Sequence, residues 1–312
     1  METEVGERGR RSELAFERAR SLSVAVMTTK TWIITGVSQG FGRELAQSAL
    51  RSGDSVLAAV RRPESVDDIA SEYPDRFATV QLDVRDTAAA PAVVRQAEDR
   101  FGGVDVLVNN AGSGMIGAAE DVTEAQLRNL LDVHLIGPAA LVRAVLPGMR
   151  EQGSGTIVQM SSQGGRMSFR GAGSYSAAKF ALEGWSEALA SELESFGIRV
   201  MIVEPSRFRT AFNEPGVLGR AELSATYRDI LAPVFADMSA ANGVQEGDPA
   251  KAADIIVDLV HGDRLPLRLP LGNEAVRRIS DSYRRNLAEL QVWADVAGSA
   301  DFVDAAGPVR PF

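Results

Sequence analysis

The sequence predicts one α/β domain, a doubly wound parallel sheet with helices on both faces. Its 312 residues, 45 % hydrophobic and 24 % charged, suffice for one large core and are too apolar for a disordered chain. Six short β-branched runs do not alternate apolar with polar, which suits strands buried on both sides. Helix-length segments separate these runs, and that regular alternation builds a parallel sheet wrapped front and back. No internal repeat or low-complexity linker divides the chain.

In chain order, residues 1–26 carry five Arg and five Glu, and their one apolar tract, Leu22–Val26, is too short for a signal-peptide core. They read as a disordered extension, followed by a domain over 27–297 and a loose tail over 298–312. The strand candidates are Thr31–Thr35, Ser55–Val60, Thr79–Val84, Val104–Asn109, Gly155–Ser161 and Arg199–Glu204. A helix over Arg43–Arg51 follows a glycine-rich turn. Thr123 with Gln126 makes a capping-box pattern, and Asp248 before Pro249 places a cap ahead of a pre-organised first-turn residue. The helix Ser174–Phe196 is apolar around much of its girth through Phe180, Leu182, Trp185, Ala188, Leu189 and Leu193, which predicts burial on more than one side and a homodimer or homotetramer. Residues 206–247 break the rhythm, and an irregular segment that long is expected to serve as a lid. Strand Leu267–Leu271 and helix Asn273–Val296 close the domain.

Composition removes several classes of function. With no cysteine there is no disulfide, thiolate nucleophile, iron–sulfur ligand or Cys-type zinc site, and nothing favours an oxidising compartment; a cytoplasmic location is expected. His134 and His261 are the only histidines, so no metal site is expected. A net charge of −9 argues against nucleic-acid or anionic-membrane partners. No uncharged apolar run approaches the roughly 18 residues of a membrane-spanning helix. Small molecules remain as partners.

Thr35-Gly36-Val37-Ser38-Gln39-Gly40-Phe41-Gly42 leads from the first strand into a helix, so backbone N–H groups there can approach a pyrophosphate at the positive helix end. A dinucleotide is implied, and with it a Rossmann-type sheet. No Lys-Ser/Thr follows the last glycine, which excludes a P-loop. Val60 stands where an acid would hold the ribose of an unphosphorylated cofactor, and Arg61-Arg62 follow at once. Guanidinium groups suit phosphate, so NADP(H) is favoured over NAD(H), with Arg61 the better candidate; a solvated basic turn before Pro63 is the alternative. Tyr175 and Lys179 lie four apart on one helix face. A phenol of pKa ~10 holds its proton tightly at neutral pH, and a nearby ammonium favours the phenolate. The chain has 30 arginines but only Lys30, Lys179 and Lys251 as lysines, so a lysine at this spacing reads as chemically required. Ser162 ends the fifth strand at the edge where open α/β sheets bind ligands, and since adjacent strand residues face opposite sides, only one of Ser161 and Ser162 should face the site.

The Gly-x-x-x-Gly-x-Gly spacing after Thr35, then Leu82-Asp83-Val84, Asn109-Asn110-Ala111-Gly112, and Tyr175-Ser176-Ala177-Ala178-Lys179 with Ser162 thirteen residues ahead, resembles the short-chain dehydrogenase/reductase family in content and order. The resemblance covers about Thr31–Val260. It implies an oxidoreductase moving a hydride between NADP(H) and a ketone, aldehyde or secondary alcohol. It implies that Tyr175 is the general acid and base, that Lys179 lowers the phenol's pKa and binds the nicotinamide ribose, and that Ser162 holds the substrate oxygen. It assigns Gly36, Ser38, Gln39, Gly40, Phe41, Gly42, Arg61, Asp83, Val84, Asn110, Ala111, Gly112, Tyr175, Lys179, Pro205 and Thr210 to the cofactor.

Two positions depart from the family pattern. His134 stands where the family has Asn, which helps hold a water that connects the lysine to solvent. Three readings are open: the His134 backbone carbonyl keeps that water, its imidazole of ordinary pKa ~6.5 joins the relay, or it is a buried spacer. The first is preferred. Ser206 replaces the glycine after Pro205. The stretch Tyr175–Gly184, with Phe180-Ala181-Leu182-Glu183-Gly184, resembles the hydroxysteroid-type branch and points to a bulky apolar substrate, with Phe208, Phe212 and Tyr227 as candidate pocket walls. A cofactor-binding regulator without turnover is the second functional reading, and the intact Ser162, Tyr175 and Lys179 speak against it.

Overall fold

Successive strand residues face opposite sides of a sheet, and β1 (Thr31–Thr35) is covered on both. Its Trp32 and Ile34 enter one core while Ile33 enters another. The computed structural model describes residues 29–302 except 215, together with 305 and 307. The expected extension over 1–26 and most of the expected tail lie outside them.

The chain continues through α1 (Gly40–Arg51), β2 (Ser55–Val60), α2 (Asp67–Glu72), β3 (Phe77–Gln81), α3 (Ala90–Phe101), β4 (Val106–Asn109) and β5 (Gly114–Ile116). Then come α4 (Glu124–Leu131), a π turn (Asp132–Ile136), α5 (Gly137–Gln152), β6 (Gly155–Met160), α6 (Gly173–Leu193) and β7 (Ile198–Pro205). The last part holds β8 (Leu218–Arg220), α7 (Ala225–Ala240), α8 (Pro249–His261), β9 (Arg268–Leu271) and α9 (Asn273–Gly298). Seven strands form one parallel sheet in the order β3-β2-β1-β4-β6-β7-β9, the doubly wound arrangement expected.

One face is covered by α1, α2 and α8, through residues such as Leu45, Leu50, Ile69, Ile256 and Val260. The other is covered by α3, α5 and α6, through Val93, Leu141, Val145, Met149 and Leu189. Full burial of each large side chain stabilises the fold by about 1.5–3 kcal/mol. Both caps form as expected: Thr123 and Gln126 close a capping box, and the Asp248 carboxylate accepts from Ala250 and Lys251 N–H.

Three expectations need correction. The third strand runs over Phe77–Gln81 rather than Thr79–Val84, because it pairs Val56–Val60 of β2 and its partner ends there. Residues 206–247 are not one irregular lid: β8 pairs with β5 in a small second sheet, and α7 anchors through buried Leu231. The run Glu124–Gln152 is, by length and composition alone, apolar enough to cross a membrane, whereas no uncharged apolar run near that length was expected. Half of its most apolar stretch is buried, and α5 belongs to the core against the sheet.

Candidate active site

Residues just beyond the carboxyl ends of β1, β2, β4, β6 and β7 line one cavity of about 840 Å³. Thr35, the last residue of β1, ties two of its loops together. Its hydroxyl accepts from the Asn110 and Ala111 N–H groups, both at 2.9 Å, and the Asn110 amide returns a bond to the Thr35 carbonyl at 2.8 Å. The turn that follows opens α1, whose N-cap Gln39 makes no capping bond and whose first turn carries no acid. The first N–H groups of α1 and its positive end are therefore left for an anion. Gly42 is the one expected cofactor residue that does not line the cavity. A Cβ there would stand 2.3 Å from the Gly36 carbonyl oxygen, so this glycine lets the helix pack against its own turn and does not face the nucleotide space.

At the end of β2 the cavity is walled by Arg61 and Arg62. Among the described residues Arg61 makes no ion pair. The nearby Asp83 is engaged by Arg85, whose guanidinium holds its carboxyl down at about 2. Ser206 turns its hydroxyl to the Leu271 carbonyl at 3.2 Å. Gly272 leaves room for this hydroxyl, since a Cβ there would come within 2.4 Å of it.

Tyr175 and Lys179 project from one face of α6 into the cavity, and Ser162 reaches it from the end of β6. The Lys179 ammonium donates to the Met160 carbonyl at 2.7 Å and stands 5.8 Å from the centre of the Tyr175 ring. Burial pushes the phenol up to about 12 against the downward pull of the Ser162 hydroxyl, and it pulls Lys179 down to about 7, with Glu183 opposing. The expected lowering of the phenol by Lys179 is thus not met in the free protein. Desolvation disfavours both charged forms.

His134 sits in the π turn. Its Nε2–H donates to the Ser113 carbonyl at 2.7 Å, Nδ1 is buried with no partner among the described residues, and the ring meets Tyr175 edge-on at 5.7 Å. Burial first, and then the Lys179 charge, hold its pKa well below the ordinary 6.5, so the imidazole stays neutral. That direction speaks against the reading in which the ring titrates as part of the relay.

One helical turn beyond Lys179, Glu183 is buried beside the equally buried Glu204. Arg166 donates to Glu204 at 2.7 Å and Arg268 to Glu183 at 3.1 Å, while one oxygen of each carboxylate finds no partner among the described residues. Burial, then repulsion from Glu183, raises Glu204.

The short chain dehydrogenase family model matches residues 30–218. The chain belongs to that family. It is 33 % identical over 270 residues to oxidoreductase BOA17 of Botryotinia fuckeliana (strain B05.10), covering 86 % of this chain and 98 % of that protein. It is 38 % identical over 182 residues to the 3-ketodihydrosphingosine reductase of Bacteroides thetaiotaomicron, covering 58 % of this chain and 65 % of the relative. Among solved structures, a short-chain dehydrogenase from Streptomyces avermitilis superposes with a TM-score of 0.83 at 44 % identity, covering 88 % of this chain and all of that one. The protein is accordingly an oxidoreductase of the short-chain dehydrogenase family on a nucleotide-binding fold.

Within this family member the structure brings Ser162, Tyr175, Lys179, His134 and every expected cofactor residue except Gly42 to one cavity. Phe208 and Phe212 line it as expected. Tyr227 does not; its hydroxyl donates to Glu120 at 2.6 Å on the surface. Sequence reasoning missed the apolar walls Met115, Ile116, Leu218, Val234 and Met238. It also missed the Glu183–Glu204 pair, although the spacing of Lys179 and Glu183 puts both on one helix face.

Proposed function

We propose that this oxidoreductase interconverts a ketone and a secondary alcohol with NADP(H), and that Tyr175 exchanges the proton with the substrate oxygen. The observation that carries the reading is the convergence of Ser162, Tyr175 and Lys179 on the cavity that begins at the Gly36–Phe41 turn. The free N–H groups opening α1 fit a pyrophosphate, Asp83 and Val84 would flank the adenine, Arg61 would hold the 2′-phosphate, and Pro205 and Thr210 would lie along the nicotinamide. When bound, the nicotinamide supplies or accepts the hydride.

The chain's own residues handle the oxygen. The Ser162 hydroxyl fixes the carbonyl and stabilises developing negative charge on it. Tyr175, kept protonated by burial, donates its proton in reduction, and the Lys179 ammonium 5.8 Å from the ring centre stabilises the phenolate left behind. His134 is held in place by its bond to the Ser113 carbonyl. Met115, Ile116, Phe212, Leu218, Val234 and Met238 make an apolar wall that supports a bulky apolar substrate, in keeping with the hydroxysteroid-type resemblance. The Bacteroides relative is named for a 3-ketodihydrosphingosine, which supports the same class. Phe180, 47 % exposed on α6, supports a homodimer or homotetramer through that face.

The test follows NADPH absorbance at 340 nm with a panel of apolar ketones, repeated with Tyr175→Phe. Turnover that the substitution abolishes while nucleotide binding persists is the expected result. Nucleotide binding with no turnover on any ketone or alcohol would favour the non-catalytic regulator instead.

A further inference from the structure

We infer that α9 carries a self-complementary seam through which two copies of this chain pair antiparallel. The helix runs from Asn273 to Gly298, about 39 Å at 1.5 Å per residue, yet its buried residues are Ala275, Ile279 and Ser282, all in the first ten positions. From Tyr283 onward every residue of α9 is exposed. The exposed part is not polar: Tyr283, Leu287, Leu290 and Trp293 are 43, 56, 66 and 58 % accessible. A helix with an uncovered apolar stripe has a face built for another surface.

The spacing names the kind of surface. Val276, Ser280, Tyr283, Leu287, Leu290, Ala294 and Ala297 recur at alternating steps of four and three residues, the period of about 3.5 that keeps a stripe facing a second helix. Val292, Trp293 and Val296 lie off this stripe.

Charge names the occupant and its direction. Arg277, Arg278, Arg284 and Arg285 make the first half of α9 basic despite Glu274 and Asp281, whereas Glu289 and Asp295 are the only charges over 286–298. Two copies in parallel would set like charge against like. Antiparallel copies set the basic half of each on the acidic half of the other, the same patch meeting itself about a two-fold axis. With Leu287 of one copy on Leu290 of the other, Tyr283 meets Ala294 and Ser280 meets Ala297, large side chain on small, and Arg284 comes beside Asp295. These residues differ from those of the α6 face, so the seam is a second, independent contact.

Sedimentation velocity on the full chain over a concentration series tests the proposal. Wild type is expected as a dimer or larger assembly, and Leu287→Glu with Leu290→Glu is expected to halve its mass with the helical circular dichroism retained. Arg284→Glu and Asp295→Arg should each weaken association, and the two together should restore it. A monomeric wild type, a mass untouched by the leucine substitutions, or a charge swap that fails to restore association would overturn the proposal. So would monomeric protein that co-sediments with phosphatidylcholine vesicles through the same leucines, since the stripe would then serve a lipid surface.

Discussion

Replacing Lys179 with methionine is expected to stabilise the free protein at neutral pH while abolishing turnover. Burial lowers the lysine from 10.5 to about 7. At ~1.4 kcal/mol per pKa unit, holding that ammonium inside costs the native state about 5 kcal/mol relative to the unfolded chain. Methionine has a similar length and no charge, so the cost disappears. The Met160 carbonyl, which Lys179 reaches at 2.7 Å, loses its donor, a penalty of roughly 1–3 kcal/mol. A net gain of about 2–4 kcal/mol remains near pH 7. The gain depends on pH with a definite sign. The unfolded lysine keeps its proton up to 10.5 and the folded one releases it near 7, so wild type gains stability as pH rises between those values. The variant's advantage therefore shrinks as pH rises and approaches zero or reverses by about pH 9.5. Urea denaturation of both proteins without nucleotide, at about pH 6.5 and 9.5, measures the difference. A variant less stable than wild type at the lower pH, or a difference that does not change with pH, would refute the reasoning.

Other residues give sharper local tests. Gly42→Ala pushes a Cβ to 2.3 Å from the Gly36 carbonyl and 2.4 Å from the Asn110 amide, so the turn must shift; NADPH affinity, followed by nucleotide fluorescence, should fall at least about tenfold and the melting temperature with it. Arg61→Asp should raise the Michaelis constant for NADPH and spare that for NADH, and equal losses with both nucleotides would contradict its role at the 2′-phosphate. Because His134 is held neutral, His134→Asn should keep activity and leave the pH–rate profile unshifted between about pH 6 and 9; a displaced limb would show that the ring titrates.

How much of this was legible in the sequence depends on whether the deciding contact is local. The strands Thr31–Thr35 and Ser55–Val60 stand where their β-branched runs place them, and both helix caps form from residues within one turn. The end of β3 was misjudged because register with β2 fixes it, a contact some twenty residues away. The pairing of Gly114–Ile116 with Leu218–Arg220 spans about a hundred residues, and neither three-residue run carries a pattern of its own. Pro233 inside α7 hid that helix. At the site, the spacing of Tyr175 and Lys179 announced a shared face, but spacing says nothing of desolvation, and desolvation decides both pKa values.

That same desolvation links the proton-handling residues to the carboxylates behind them. Glu204 is raised by burial and by Glu183, so its contribution to stability is complete at acid pH and is lost as pH rises through its folded pKa. Lys179 is lowered, so its contribution is complete only above 10.5 and is lost as pH falls toward 7. The two slopes oppose each other and leave these groups at their least favourable near neutrality. Arg166 and Arg268 limit the loss by pairing with Glu204 and Glu183, yet one oxygen of each carboxylate goes without a partner among the described residues. An apolar interior would serve stability better here, since replacing buried ion pairs with well-packed apolar groups is often neutral or stabilising. On the proposed mechanism, the polar arrangement supports a lysine that burial has brought close to losing its charge near neutral pH.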